Sequence, residues 1–247
     1  MKIYSAAGDP PLRTTAVISL QEPLILDRTI ARALKRREIN VKEAFTIADS
    51  SGAFFRASLK ELGPHAGVAL PYEKMTRSPE PSISITLACS VLARQRMLFV
   101  MQKATELGVS RIVPILTEHS VPTSQLEHEK ASAWPGQILR AARQCRRSSL
   151  PHLDPPTELC SFLNSESYRS AQLRLLLDDH SAPHPLPPET IKDVVLIVGP
   201  EGGFADSERV LLAKSAHAWV LGGRVLRAET AVVVGLTGVQ IRFGDFV

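Results

Sequence analysis

Apolar and polar positions follow two different rhythms along the chain, and the rhythm changes near residue 80. Before that point short apolar segments at 15–20, 44–48, 53–59 and 68–70 are separated by turn residues, with Asp49, Ser50, Ser51 and Gly52 between the second and third. Strand-length apolar runs on either side of such a turn predict a hairpin inside a small β-rich barrel. One helix is predicted over 28–37. Residues 73–82 include Glu73, Lys74, Arg77, Pro79 and Pro81 with little to bury, and read as a linker between a domain over 1–72 and another over 83–247.

In the second domain strands and helices alternate. A strand is predicted at 83–89, a helix at 96–107 ending at Gly108, and a strand at 111–116. A helix follows over 136–147 with Pro135 at its start, then a short helix capped by Thr157, a strand at 173–177 and a continuously apolar strand at 194–198. A helix capped near Asp206 or Ser207, a strand at 218–221 and a final helix over 228–243 complete the series. Strands separated by helices predict an α/β domain built on a parallel sheet. The last helix is apolar nearly all round, which requires burial within the domain or against another subunit.

Composition narrows the function classes. No stretch approaches the roughly 20 apolar residues of a membrane span, and Met1, Lys2, Ile3 and Tyr4 do not begin a signal-type run, so a cytoplasmic protein away from membranes is expected. Cys89, Cys145 and Cys160 form no CxxC pair and the seven histidines are scattered, so neither a disulfide framework nor a metal is expected. Net charge is +4, and residues 1–72 hold ten Lys/Arg against seven Asp/Glu. A phosphate-bearing partner would be drawn there, although surplus basic residues also serve solubility.

Two segments carry candidate chemistry. LIVGPEGG at 196–203 runs from a buried strand into a glycine loop, and LGGRVLRAETA at 221–231 repeats the strand, loop and helix order. Ligands bind at strand ends in parallel sheets, and glycine lets the backbone approach them, so opposite walls of one cofactor pocket are expected. A tight turn needing glycine for geometry alone is the alternative. Neither loop is a GxGxxG or a P-loop. Arg227 stands at a helix entrance, where the helix dipole disfavours a cation unless an anion is near; Glu229 suits the same dipole, and Thr230 is a cap or ligand donor.

Two arginine runs are candidate RNA contacts: Arg28, Arg32, Lys35 and Arg36 in the first domain, and Arg140, Arg143 and Arg147, which share one helical face. Solvated basic helix faces are the alternative.

MQKATELGV at 101–109, LIVGPEGG with Glu208 behind it, LGGRVLRAETA, then Gln240 and Phe243-Gly244-Asp245, taken in order, resemble the RsmE family of SPOUT-class RNA methyltransferases over 83–247. Ile30, Arg32, Leu34 and Lys35 resemble that family's basic helix more loosely. The resemblance implies a PUA-like barrel over 1–72, a SPOUT domain with a C-terminal trefoil knot, a homodimer, and S-adenosyl-L-methionine as donor of a methyl group to N3 of a uridine in small-subunit (16S) ribosomal RNA. It implies cofactor contacts at Leu177, Gly199, Pro200, Glu201, Gly202, Gly203, Leu221, Gly222, Val225, Leu226 and Thr230. Arg227 is then expected to neutralise the uracil anion or a phosphate, and Glu201 or Glu229 to take the proton. The partner is ribosomal RNA or the small subunit; another RNA such as tRNA, or non-catalytic RNA binding, is the alternative. Arg143 and Arg146 replace the family's usual glutamate and glycine, His119 an arginine, and Asp178-Asp179 a His-Pro pair.

Overall fold

The computed structural model describes residues 4–178, 186–187 and 190–246, so the readings of the first three residues and of Asp179 lie outside it. The chain separates into two compact units, Asp9–Glu80 with Leu139–Leu150, and Met1–Gly8 with Pro81–Ile138 and Pro151–Val247.

In the first of these, β1 (Leu24–Leu26), α1 (Arg28–Arg36), β2 (Ala44–Ala48), β3 (Phe54–Leu62) and β4 (Gly67–Lys74) follow in order. The strands form one antiparallel sheet ordered β1-β4-β3-β2. The β2–β3 turn is built by Asp49, whose carboxylate accepts from Ser51 N (2.9 Å), Ser51 Oγ (2.6 Å) and Ala53 N (3.1 Å), with Gly52 at φ +87°. These donors, the Ser51 hydroxyl foremost, hold the Asp49 carboxyl below its ordinary range. Asp27 caps α1 by accepting from Ile30 N at 2.9 Å, and Ile30, Ala31, Ala33 and Leu34 turn inward. Leu26, Leu34, Ile47 and Leu59 are wholly buried in this core.

Two expectations need correction here. Residues 15–20 form no strand, because Val17 (76% exposed) and Leu20 (46%) face outward and only Arg13 bridges to Ala48. Residues 73 and 74, read as the start of a linker, belong to β4: Arg56 pairs with Glu73 and Phe55 with Lys74.

The other unit holds β5 (Ser84–Ser90), α2 (Arg94–Glu106), β6 (Arg111–Leu116), β7 (His152–Leu153), β8 (Thr157–Glu158), α4 (Leu159–Leu163), α5 (Glu166–Arg169), β9 (Leu173–Leu177), β10 (Asp193–Val198), α6 (Asp206–Ala213), β11 (His217–Trp219) and α7 (Ala228–Phe243). Between β6 and β7, α3 (Trp134–Gln144) passes from this unit into the other at Ile138–Leu139. Seven parallel strands run in the order β11-β9-β10-β5-β6-β7, with β8 also on β6. The domain is thus α/β on a parallel sheet, as the alternating pattern predicts. Ile85, Leu87, Val194 and Leu196 are 0% exposed on one face, while Ala88, Val195 and Ile197 are 0% exposed on the other. Burial on both faces explains why these strands read as unbroken apolar runs.

Helix caps differ from the sequence reading in two places. Thr157 caps no helix: its hydroxyl donates to Pro155 O at 2.7 Å, and α4 starts two residues later. α6 is capped from inside, by Glu208 accepting from Ala205 N at 2.9 Å and, with its other oxygen, from Glu118 N at 2.9 Å. α7 spans its predicted range but is not wholly covered: Val232, Leu236 and Val239 are buried, whereas Val234 (39%) and Ile241 (64%) are exposed.

Candidate active site

Because β9, β10 and β11 are parallel neighbours, their carboxyl ends come out at one edge of the sheet. A cleft of about 640 Å³ opens there. Its walls are the end of β9 (Leu177, Asp178), the loop after β10 from Gly199 to Phe204, the loop after β11 from Leu221 to Arg227, and the start of α7. The two glycine loops therefore do face one pocket.

The loops are shaped by close packing. A Cβ on Gly199 would stand 2.9 Å from the Phe204 ring, and one on Gly202 would stand 3.0 Å from His119 Cβ. Gly203, at φ +73°, turns the chain toward α6, and its carbonyl lies 3.0 Å from His119 Nδ1. His119, which departs from the family pattern, thus braces this loop. Behind the cleft, α7 closes on the sheet through Gly235, where a Cβ would come within 2.8 Å of Leu177 Cδ1, and Gly238, where it would come within 2.6 Å of Trp219.

The polar side of the cleft centres on Arg96, in the first turn of α2, which pairs with Glu201 and stands 3.9 Å from Glu229. The bond that Arg96 donates to Glu201 holds the guanidinium still more firmly protonated than usual. Glu229 is only 15% exposed, and its Oε2 is buried with no hydrogen-bond partner. Beneath them, burial pushes the Cys89 thiol far up, with Glu201 and Glu229 adding to the effect, so it is no nucleophile. On the other wall Arg209 pairs with Asp178 at 3.2 Å.

Of the residues expected from the sequence, Leu177, Gly199, Pro200, Glu201, Gly202, Gly203, Leu221, Gly222, Val225, Leu226 and Arg227 line the cleft. Thr230 and Glu229 do not: Thr230 is exposed, and Glu229 stands 3.9 Å from Arg96 but outside the lining. Arg96, Phe204, Arg209, Trp219 and Arg224 line it without having been anticipated. Arg96 had a readable signal, the same misplaced cation at a helix start that singles out Arg227. The others arrive by tertiary folding.

In the antiparallel unit Arg28, Arg32, Lys35 and Arg36 are exposed along α1, with Arg36 paired to Asp9 at 2.7 Å. The expected stripe of Arg140, Arg143 and Arg147 is not formed. α3 ends at Gln144, Arg146 takes φ +65°, and Arg147 turns inward to Glu80, buried. Arg143 is held by Glu43 at 2.6 Å, which helps keep that carboxyl low after the larger contribution of the Asn40 amide. Arg140 remains exposed.

An open parallel sheet with an apolar and polar cleft of this size at its strand ends, floored by backbone loops, is the construction of an α/β enzyme that holds a nucleotide-like cofactor. The chain belongs to the RNA methyltransferase domain family, which matches residues 78–240, and within it to the ribosomal RNA small subunit methyltransferases E. It is 30% identical to that protein from Mesomycoplasma hyopneumoniae over 72% of this chain and 79% of the relative. To that from Buchnera aphidicola it is 25% identical over 92% and 94%. Among solved structures, a ribosomal RNA small subunit methyltransferase E from Neisseria gonorrhoeae bound to S-adenosyl methionine has a TM-score of 0.68 at 25% identity, covering 96% of this chain and 99% of that one. A putative methyltransferase from Legionella pneumophila in complex with the same cofactor has a TM-score of 0.66 at 28% identity, with 95% and 98% covered.

Proposed function

We propose that this protein transfers the methyl group of S-adenosylmethionine to N3 of a uridine in small-subunit ribosomal RNA. The observation that carries the reading is the cleft between the 199–203 and 221–227 loops, in a chain whose solved relatives hold that cofactor. The residues fit it. Leu177, Val198, Trp219 and Leu226 offer an apolar slot for an adenine ring, the loops offer backbone groups for its edges, and the volume suits a ligand of that size.

When bound, the cofactor supplies an electrophilic methyl group on a sulfonium. The chain's own residues do the rest. Uridine N3 carries a proton at neutral pH and must lose it as the nitrogen attacks. Glu201, at the cleft, accepts that proton, and Glu229 acts behind it by steadying Arg96. Arg227 faces the charge that grows on the flanking uracil oxygens. Leu221, Gly222 and Val225 complete the wall that aligns donor and acceptor.

The antiparallel unit is a PUA-like RNA-binding barrel in this reading, with Arg28, Arg32 and Lys35 on its basic helix, and 83–247 is a SPOUT domain whose C-terminal segment is knotted. The uncovered Val234 and Ile241 of α7 are the contact between two copies in a homodimer. Work on ribosomal RNA suits a cytoplasmic protein, and no helix among the described residues is long and apolar enough to cross a membrane. No cluster of metal-ligating side chains occurs among the described residues.

Calorimetric titration with S-adenosylmethionine, followed by transfer from labelled cofactor to small subunits of a strain lacking the enzyme, tests the reading. Binding with label on uridine N3 supports it. Binding with label only on another RNA, or with none, replaces the substrate or the catalytic assignment, and absence of binding overturns it.

A further inference from the structure

Four arginines line the cleft, and they are not equivalent. Arg96 is answered by Glu201 and Arg209 by Asp178, and these are the only two carboxylates in the lining among the described residues. Arg224 and Arg227 are both exposed, and among the described residues neither has a carboxylate within ion-pair distance. Two positive charges therefore face the cleft with no counter-charge among the described residues. Arg227 is assigned above to the uracil oxygens. Arg224 has no role in that chemistry, yet it stands three residues away on the same loop, a span of at most about 10 Å.

Between the two arginines, Val225 is 85% exposed and Leu226 half-buried. A loop that alternates cation, apolar surface and cation presents what a nucleotide strand presents in complement: charge on the backbone and flat apolar faces on the bases. A guanidinium is moreover the group best matched to the two free oxygens of a phosphodiester.

We propose that Arg224 binds a backbone phosphate of the RNA beside the nucleotide that enters the cleft, so that this loop grips the RNA strand as well as the cofactor. The inference rests on the methyl-transfer reading. The competing anion is the carboxylate of the cofactor itself, which would make Arg224 a cofactor ligand instead. The two differ in what salt does: each phosphate contact releases condensed counterions and adds about 0.7 to the slope of log affinity against log salt for single-stranded RNA.

The test is equilibrium binding of the full chain to unmethylated small ribosomal subunits over a KCl series at fixed Mg²⁺, alongside calorimetric affinity for S-adenosylmethionine. Thermal midpoints check that each variant is folded. Arg224→Gln is expected to weaken subunit binding several-fold and to flatten the slope by about 0.7, with cofactor affinity unchanged. Arg224→Lys, which keeps the charge, is expected to restore the slope. An unaltered slope in Arg224→Gln, or a loss of cofactor affinity in its place, overturns the proposal. Wild-type protein that binds subunits with the expected salt dependence but transfers no methyl group would instead overturn the catalytic reading and leave the phosphate contact standing.

Discussion

Arg147 donates to the Glu80 carboxylate at 3.3 Å, an ion pair in which the two side chains are 4% and 12% exposed. The same carboxylate accepts from the backbone N–H groups of Ser148 (2.6 Å) and Ser149 (2.8 Å) and from the Ser149 hydroxyl (2.5 Å). Glu80 thus fixes the whole turn that follows α3. Removing one partner of a buried pair strands the other charge, which costs about 3 kcal/mol. Glu80→Ala is expected to lower the unfolding free energy by that amount, read as a lower urea midpoint with no change in the slope of the transition.

A second prediction concerns α7. Gly238 lets the helix pass so near Trp219 that a Cβ would stand 2.6 Å from its ring. Trp219 also lines the cleft. Gly238→Ala is expected to push the indole into the cleft and weaken S-adenosylmethionine binding at least tenfold, read by calorimetry. Helix propensity alone favours alanine by about 1 kcal/mol, so a gain in stability with intact binding would sink the argument.

Arg227→Ala tests the charge at the start of α7. Loss of a group that meets developing charge typically lowers kcat by about 10²–10³. The expectation is a fall of that size in methyl transfer under single-turnover conditions, with a far smaller change in cofactor affinity. A kcat within twofold of wild type would remove Arg227 from the chemistry.

Asp49 gives a pH prediction. Its folded carboxyl sits below the ordinary value, chiefly through the Ser51 hydroxyl. A depressed acid stabilises the fold above its unfolded pKa, about 3.9, and loses that contribution as pH falls through the lower folded value. The stability gap between wild type and Asp49→Asn is therefore expected to be constant from neutral pH down to about 4 and to shrink below it, as followed by urea unfolding across pH.

Much of this was legible in the chain because it is local. Burial on both faces made β10 visible as an apolar run, the glycine loops at 199–203 and 221–227 were readable as walls of one cleft, and α7 was readable to its bounds. What failed was non-local. β1 has three residues, too few to show a period. The arginine stripe assumed a helix that continued to Arg147, but α3 stops at Gln144 and the chain turns inward. Arg96 and Glu201 are 105 residues apart, and only the sheet order brings them together.

Apart from Arg96, every described residue of the cleft lies between Leu177 and Ala231. A ribosome making this protein, at about 5–20 residues per second, therefore completes the antiparallel unit, which needs nothing beyond Leu150, well before the cleft can form. A nascent chain stopped short of β9 carries its basic helix and its sheet but no place for a methyl donor. The order of synthesis delivers the antiparallel unit with its basic helix first and the cleft last.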